Sequence, residues 1–244
     1  AGFLLREFAL DLSLVAVIGI ANALTFALVI WWGIWAARRA GMGPLPFSGA
    51  PGAVYVPLTA ALIGFCIVSS EVVNGLRYIL PMPHMLVQVF EEIGSGGIAA
   101  IVTVVVIAPL VEEILFRGII LRGLAMRYRP WTAILLSSLL FTIIHLNPYQ
   151  FFSTMVLGLA LGWVFLRTGS LWPCIFGHAI FNGYFILAAP LLDSVVSGAD
   201  QLSSDLSVVV FQPLWFDLLG IILAGAGLYG LARTFARGSR QPAF

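Results

Sequence analysis

The apolar positions of this chain fall into long runs, broken by short polar or Gly/Pro-rich stretches. An apolar run of about 18–25 residues crosses a bilayer as a helix. The pattern predicts seven such spans, at about residues 9–36, 56–80, 96–125, 131–147, 149–167, 171–192 and 208–234. The third is long enough to bend or to project from the bilayer. Period-two alternation is absent, which argues against a β-barrel. Segment 84–95, HMLVQVFEEIGS, is too short and too acidic to span and reads as an interfacial helix. The stretch 41–57, GMGPLPFSGAPGAVYVP, reads as a loop. The expected fold is therefore all-α, a polytopic membrane protein of about seven transmembrane helices. It forms one integral domain over residues 1–244, with no internal repeat. Gly158 and Gly162 are spaced for a close helix contact.

Composition agrees. Of 244 residues, 61% are hydrophobic and 9% charged, whereas a soluble domain is about half apolar and a quarter charged. The net charge of +1 gives no reason to expect nucleic acid as a partner. Every basic residue is Arg, which removes lysine Schiff-base chemistry and hints at a GC-rich, prokaryotic genome. Cys66 and Cys174 lie in apolar runs and read as packing residues. The first apolar run is too long, and lacks the basic flank, for a cleavable signal peptide.

Arginine placement orients the spans. Arg38 and Arg39 follow the first, Arg122, Arg127 and Arg129 the third, Arg167 the fifth, and Arg233, Arg237 and Arg240 the seventh. All lie on one side, which the positive-inside rule makes cytoplasmic. Glu91, Glu92, Asp193, Asp200 and Asp205 fall on the other. The expected topology is N-terminus out and C-terminus in, in a cytoplasmic (inner) membrane.

Against this apolar background, LVEEILFRG at 110–118 stands out. Ionisable groups deep in a span are costly and face a cavity or one another. Glu113 and Arg117 are four apart and share a helix face, with Glu on the favourable N-terminal side. Glu112 points about 100° away and lacks that partner, which leaves it available as a general base.

Only three histidines are present. His84 lies in the interfacial PMPHM stretch and carries no expectation. His145 closes FTIIH, one turn after Phe141, and His178 opens HAIFN, one turn before Asn182. Glu112 and His145 lie equally far from the RYRP turn that joins spans three and four, so an antiparallel hairpin sets them at equal depth, about 20–25 Å along their helices. His178 follows the short TGSLWP loop and is also intramembrane. Glu112, Glu113, His145, His178 and Asn182 can therefore meet in one cavity. Such a set activates water. Glu112 takes its proton, His145 orients it or protonates the leaving amine, and His178 and Asn182 donate to the developing oxyanion. Arg117 fixes Glu113 or meets a substrate carboxylate. No cofactor is expected, although Glu112, His145 and His178 are also a plausible zinc set; no H-E-x-x-H is present to favour it. There is no G-x-S-x-G elbow. Asp217 is a lone acid near an interface, and Glu71 of the string Ser69-Ser70-Glu71 is placed at the outer interface rather than at the cavity mouth.

E-E-x-x-x-R (Glu112, Glu113, Arg117), F-x-x-x-H (Phe141, His145) and H-x-x-x-N (His178, Asn182) resemble the type II CAAX-prenyl endopeptidases, also called CPBP or Abi intramembrane proteases. Three motifs in order, each on an expected span, make the resemblance specific. It covers about residues 95–190, the expected catalytic core. It implies a helical membrane protease, a hydrolase whose glutamate and histidines form a catalytic chamber. Members have been described as metalloproteases, with a metal-free glutamate mechanism now preferred. In that mechanism the first Glu and the F-x-x-x-H histidine activate water, and the H-x-x-x-N pair forms the oxyanion hole. The implied partners are membrane lipid and a membrane-anchored or lipidated peptide. Eukaryotic members trim prenylated tails, and many prokaryotic ones serve bacteriocin immunity, sorting-tail cleavage or signalling. The competing readings are a non-proteolytic membrane scaffold or accessory subunit that binds a membrane-protein partner, and a transporter or proton relay using the buried carboxylates. Short loops and the missing repeat count against the latter.

Overall fold

The computed structural model describes residues 14–95, 97–199 and 209–237. Those residues form eight helices and no strand. They are α1 (Leu14–Arg39), α2 (Tyr55–Ile79), α3 (His84–Ser95), α4 (Gly97–Ala125), α5 (Pro130–Ile143), α6 (Phe151–Thr168), α7 (Trp172–Asp193) and α8 (Leu214–Arg237). The protein is an all-α polytopic membrane protein. Among the described residues, five helical stretches are long and apolar enough to cross a bilayer: 52–79, 97–125, 148–168, 172–193 and 214–237. Large apolar side chains such as Leu28, Val106, Ile222 and the tryptophans of α1 stay exposed on the outside of the bundle, where lipid is their natural solvent.

Three expectations need correction. The span expected at 131–147 is a helix of only 14 residues, Pro130–Ile143, about 21 Å long. His145 therefore sits in the turn beyond its end rather than inside a span. The loop expected over 41–57 stops early, because Gly52–Val54 already form a helical turn and α2 begins at Tyr55; Pro57 falls in the first turn of α2, where a missing N–H costs nothing. The last helix starts at Leu214, not near 208. The expected first span, 9–36, is helical from Leu14 to Arg39, and its residues 9–13 lie outside the described residues. So do Asp200, Asp205 and Arg240. Segment 84–95 is helical as expected.

Small residues let the helices approach closely. A Cβ on Gly227 would run into the backbone of Ala61, and one on Gly64 into that of Ala224 and Gly220, so α2 and α8 lie in near backbone contact. Gly158 of α6 does the same for α5, with Ser138 2.8 Å from where its Cβ would stand. Cys66 and Cys174 are free and buried, as packing residues should be.

The long helix α4 is not uniform. It runs α over Gly97–Ile101, π over Val102–Ile107, α over Ala108–Glu113, π over Ile114–Leu121 and α again over Arg122–Ala125. The two glutamates thus sit on a short α segment between two wide-turned stretches. α7 has a π stretch too, at Tyr184–Ala188. In both helices a proline follows the π stretch by two residues, Pro109 and Pro190. Proline has no N–H to give its helix, and widened turns of this kind recur at functional sites.

Candidate active site

The site begins with an ion pair. Glu113 is fully buried and Arg117 is 1% exposed. Arg117 Nη1 donates to Glu113 Oε1 at 2.7 Å, and Nη2 reaches the Gly158 carbonyl at 3.4 Å. A charge moved from water to an apolar interior is tolerated when it is paired and hydrogen-bonded. The four-residue spacing read from sequence supplies that pairing.

Glu113 has a second partner from another helix. His178 Nδ1 donates to the same Oε1 at 2.8 Å. A carboxylate can only accept, so Nδ1 carries the hydrogen and Nε2 is left facing outward. Nε2 stands 3.8 Å from Glu112 Oε2, beyond direct hydrogen-bond range. The chain Arg117–Glu113–His178 thus ends at Glu112, whose Oε2 has no protein partner.

His145 is held by its own turn. Its Nδ1 donates to the Phe141 carbonyl at 2.7 Å, which fixes the tautomer and leaves Nε2 as the free nitrogen. Phe141 is the hub of the site. It is fully buried, and its ring meets His145 edge-on at 4.9 Å and His178 at 5.6 Å between centroids. Phe116 packs on it at 5.1 Å, and the Arg117 guanidinium lies 4.9 Å above it. One aromatic ring therefore sets the position of two imidazoles and one guanidinium. Asn182 Nδ2 donates to the Val104 carbonyl at 2.8 Å, leaving the second amide hydrogen available.

A cavity of ≈ 230 Å³ joins these groups; Glu112, Phe141, His145, His178 and Asn182 all line it. Glu113 and Arg117 stand behind, buried. Its far wall comes from α6, and α3 roofs it with Phe90 and Ile93. Tyr149, Gln150, Ser153 and Thr154 form a polar edge that sequence reading missed. Their i, i+3 and i+4 spacing on a helix next to His145 was the available signal, but Ser and Thr on a membrane helix ordinarily bond their own backbone, as Ser153 and Thr154 do to the Gln150 carbonyl. Tyr149 donates from its hydroxyl toward the carbonyls of Leu80 and Pro81 at 3.0 and 2.9 Å, tying the roof down.

The other candidates lie elsewhere. His84 is exposed at the start of α3, Asp217 occupies the first turn of α8, and Glu71 is engaged with Asn74 and the Gln212 backbone. None lines the cavity. Among the described residues no group of three or more His, Cys, Asp or Glu side chains is disposed to hold a metal ion. Glu112, His145 and His178 line one cavity without forming such a group.

Comparisons with known proteins bear on the same helices. Residues 94–184 match the family described as type II CAAX prenyl endopeptidase Rce1-like. "Putative membrane peptidase YdiL" of Bacillus subtilis is 27% identical over 105 residues, which are 43% of this chain and 42% of that protein. An uncharacterized 24.3 kDa protein of Escherichia coli is 30% identical over 145 residues, 57% of this chain and 66% of that one. The chain thus spans less than two thirds of either relative. No solved structure matches it. Over residues 94–184, which carry most of the cavity wall, this chain is similar to the type II CAAX prenyl endopeptidase Rce1-like family, the resemblance its three motifs carry.

Proposed function

We propose that this protein is an intramembrane endopeptidase that hydrolyses a peptide bond in a membrane-anchored or lipidated protein or peptide. The observation that carries the reading is the convergence of Glu112, His145 and His178 on one cavity inside an apolar bundle, with both imidazoles held through Nδ1. Glu112 has no protein donor on Oε2, so it takes the proton as water adds to the scissile carbonyl. Negative charge then builds on the carbonyl oxygen. Asn182 offers its second amide hydrogen, and His178 donates from Nε2 whenever both ring nitrogens are protonated. His145 Nε2 orients the water and relays the proton to the amine as the C–N bond breaks. Glu113 and Arg117 hold His178 and touch no reacting atom.

The apolar lining of the cavity, from Met82, Phe90, Phe181 and Phe185, favours a substrate that arrives with an apolar tail. Prenylation is one such tail and an acyl chain or a transmembrane end is another. The reading is metal-free and needs no cofactor. We place the protein in a prokaryotic cytoplasmic membrane with its arginine-rich helix ends inside.

The test is cleavage of fluorogenic membrane-anchored peptides, prenylated and not, by purified wild-type and Glu112→Gln protein, with and without chelator. Wild type is expected to cleave in both conditions and Glu112→Gln in neither. Turnover by Glu112→Gln sinks the assignment of the base. Loss with chelator and recovery with Zn²⁺ sinks the metal-free mechanism. Wild-type protein that cleaves nothing while retaining a membrane-protein partner supports the scaffold alternative.

A further inference from the structure

The π stretch before Glu112 leaves one backbone group without its helical partner. Ala108 N–H bonds the Thr103 carbonyl, five residues back. In the same register the Val104 carbonyl would accept from residue 109, which is proline and has no N–H. Residue 108, its donor in an ordinary α-turn, is already engaged. The Val104 carbonyl is therefore left without a helical donor on a half-buried wall of the cavity, where a carbonyl shielded from water is costly to leave unpaired. Asn182 Nδ2, from α7, donates to it at 2.8 Å.

We propose that Asn182 is a positioning residue for Glu112, acting by capping the Val104 carbonyl that Pro109 frees, in addition to facing the substrate. Its effect passes through the helix. Pro109 is buried and stands three residues before Glu112, so the register at 104–109 sets the angle at which the α segment Ala108–Glu113 presents its two carboxylates. The same amide ties α4 to α7 one helical turn from His178, and so fixes the spacing between Glu112 and the His178 imidazole, 3.8 Å in this structure. Pro109 and Asn182 form one device: the proline breaks the ladder, and the asparagine makes the break permanent in a single register.

The device rests on the endopeptidase reading for its effect on turnover, but not for its effect on the helix. Pro109→Ala restores an N–H at position 109 and so gives the Val104 carbonyl a donor of its own. Asn182→Ala and Asn182→Asp would each be made with Pro109 in place and again in the Pro109→Ala background. An aspartate at position 182 keeps the shape of the native side chain but, ionised, cannot donate. Hydrogen–deuterium exchange over residues 102–113 in detergent is expected to rise at least about fivefold on Asn182→Ala with Pro109 in place, and to change less than about twofold when Pro109→Ala is also present. Asn182→Asp is expected to act in the same direction as Asn182→Ala. Cleavage of a membrane-anchored peptide is expected to follow, with the kcat loss from Asn182→Ala at least about threefold smaller in the Pro109→Ala background. An equal loss of kcat in both backgrounds, with exchange unchanged by Asn182→Ala, overturns the proposal and leaves Asn182 acting on substrate alone. If no peptide is cleaved, the endopeptidase reading falls, and the exchange data still decide whether Asn182 caps Val104.

Discussion

Two of the buried polar clusters among the described residues differ in what their free valences face. The first is the chamber of Glu112, Glu113, Arg117, His145 and His178. The second lies at the far end of α2. There Glu71 accepts from Asn74 Nδ2 at 3.3 Å and from the Gln212 backbone at 3.0 Å, and Asn74 Nδ2 also donates to the Gly198 carbonyl at 3.2 Å. Burial is similar. Asn74 is 1% exposed and Arg117 is 1% exposed. In the second cluster Glu71 and Asn74 bond each other and the backbone at Gly198 and Gln212, so these bonds tie those two positions to α2. In the first, a buried ion pair holds an imidazole, and that imidazole and Glu112 turn their remaining atoms to a cavity. A buried charge in a membrane helix is thus not in itself a site. What distinguishes one is support from behind and open capacity in front.

That contrast predicts opposite outcomes for one substitution. Glu112→Gln is expected to lower cleavage by about 10²–10⁴-fold, the usual range for a lost general base, with the melting temperature within about 2 °C of wild type, because Glu112 Oε2 holds no protein group. The comparison breaks if stability falls while turnover survives. Arg117→Met is expected to destabilise by about 3–5 kcal/mol, the cost of leaving a buried carboxylate without its cation. Glu113→Gln combined with Arg117→Met is expected to recover part of that loss in a denaturation series, since the two charges then leave together. Recovery failing altogether would mean that the pair is not the support we describe. Glu71→Gln is expected to cost about 1 kcal/mol of stability and to change kcat less than about twofold, the reverse of Glu112→Gln. A tenfold drop in kcat with stability intact would move Glu71 into the chamber's function. The smallest effect is expected from Tyr149→Phe, about 1 kcal/mol, read as a higher KM with kcat kept, because it frees the 80–81 segment that holds the roof. An unchanged KM would show that the roof does not contact substrate.

Much of the chamber was legible because helical periodicity is local. The pairing of Glu113 with Arg117 follows from a spacing of four, and counting along the hairpin brings Glu112 and His145 toward one cavity, although α5 ends at Ile143 and His145 sits in the turn beyond it rather than on the helix. Both positions line the same cavity. The partner of Glu113 on α7 was not legible: His178 could be placed in the cavity by depth, but whether it faced Glu112 or Glu113 depends on the rotation of α7 against α4. That rotation is set by side-chain packing between helices distant in sequence.

The sequence by itself determined that the chain is helical and lipid-embedded, since apolar runs of bilayer length have no other way to satisfy their backbone. It also determined which ionisable groups are too costly to be idle. The tertiary structure alone decided the end of α5 before His145, the π stretches around the glutamates, the role of Phe141 as a common packing surface and the capping of Val104 by Asn182. Each of these depends on a group finding, or failing to find, a partner far away in the chain. A proline announces only that a hydrogen bond is missing; which side chain replaces it is settled by the neighbour that folding brings within hydrogen-bond reach, 2.8 Å for Asn182 and Val104.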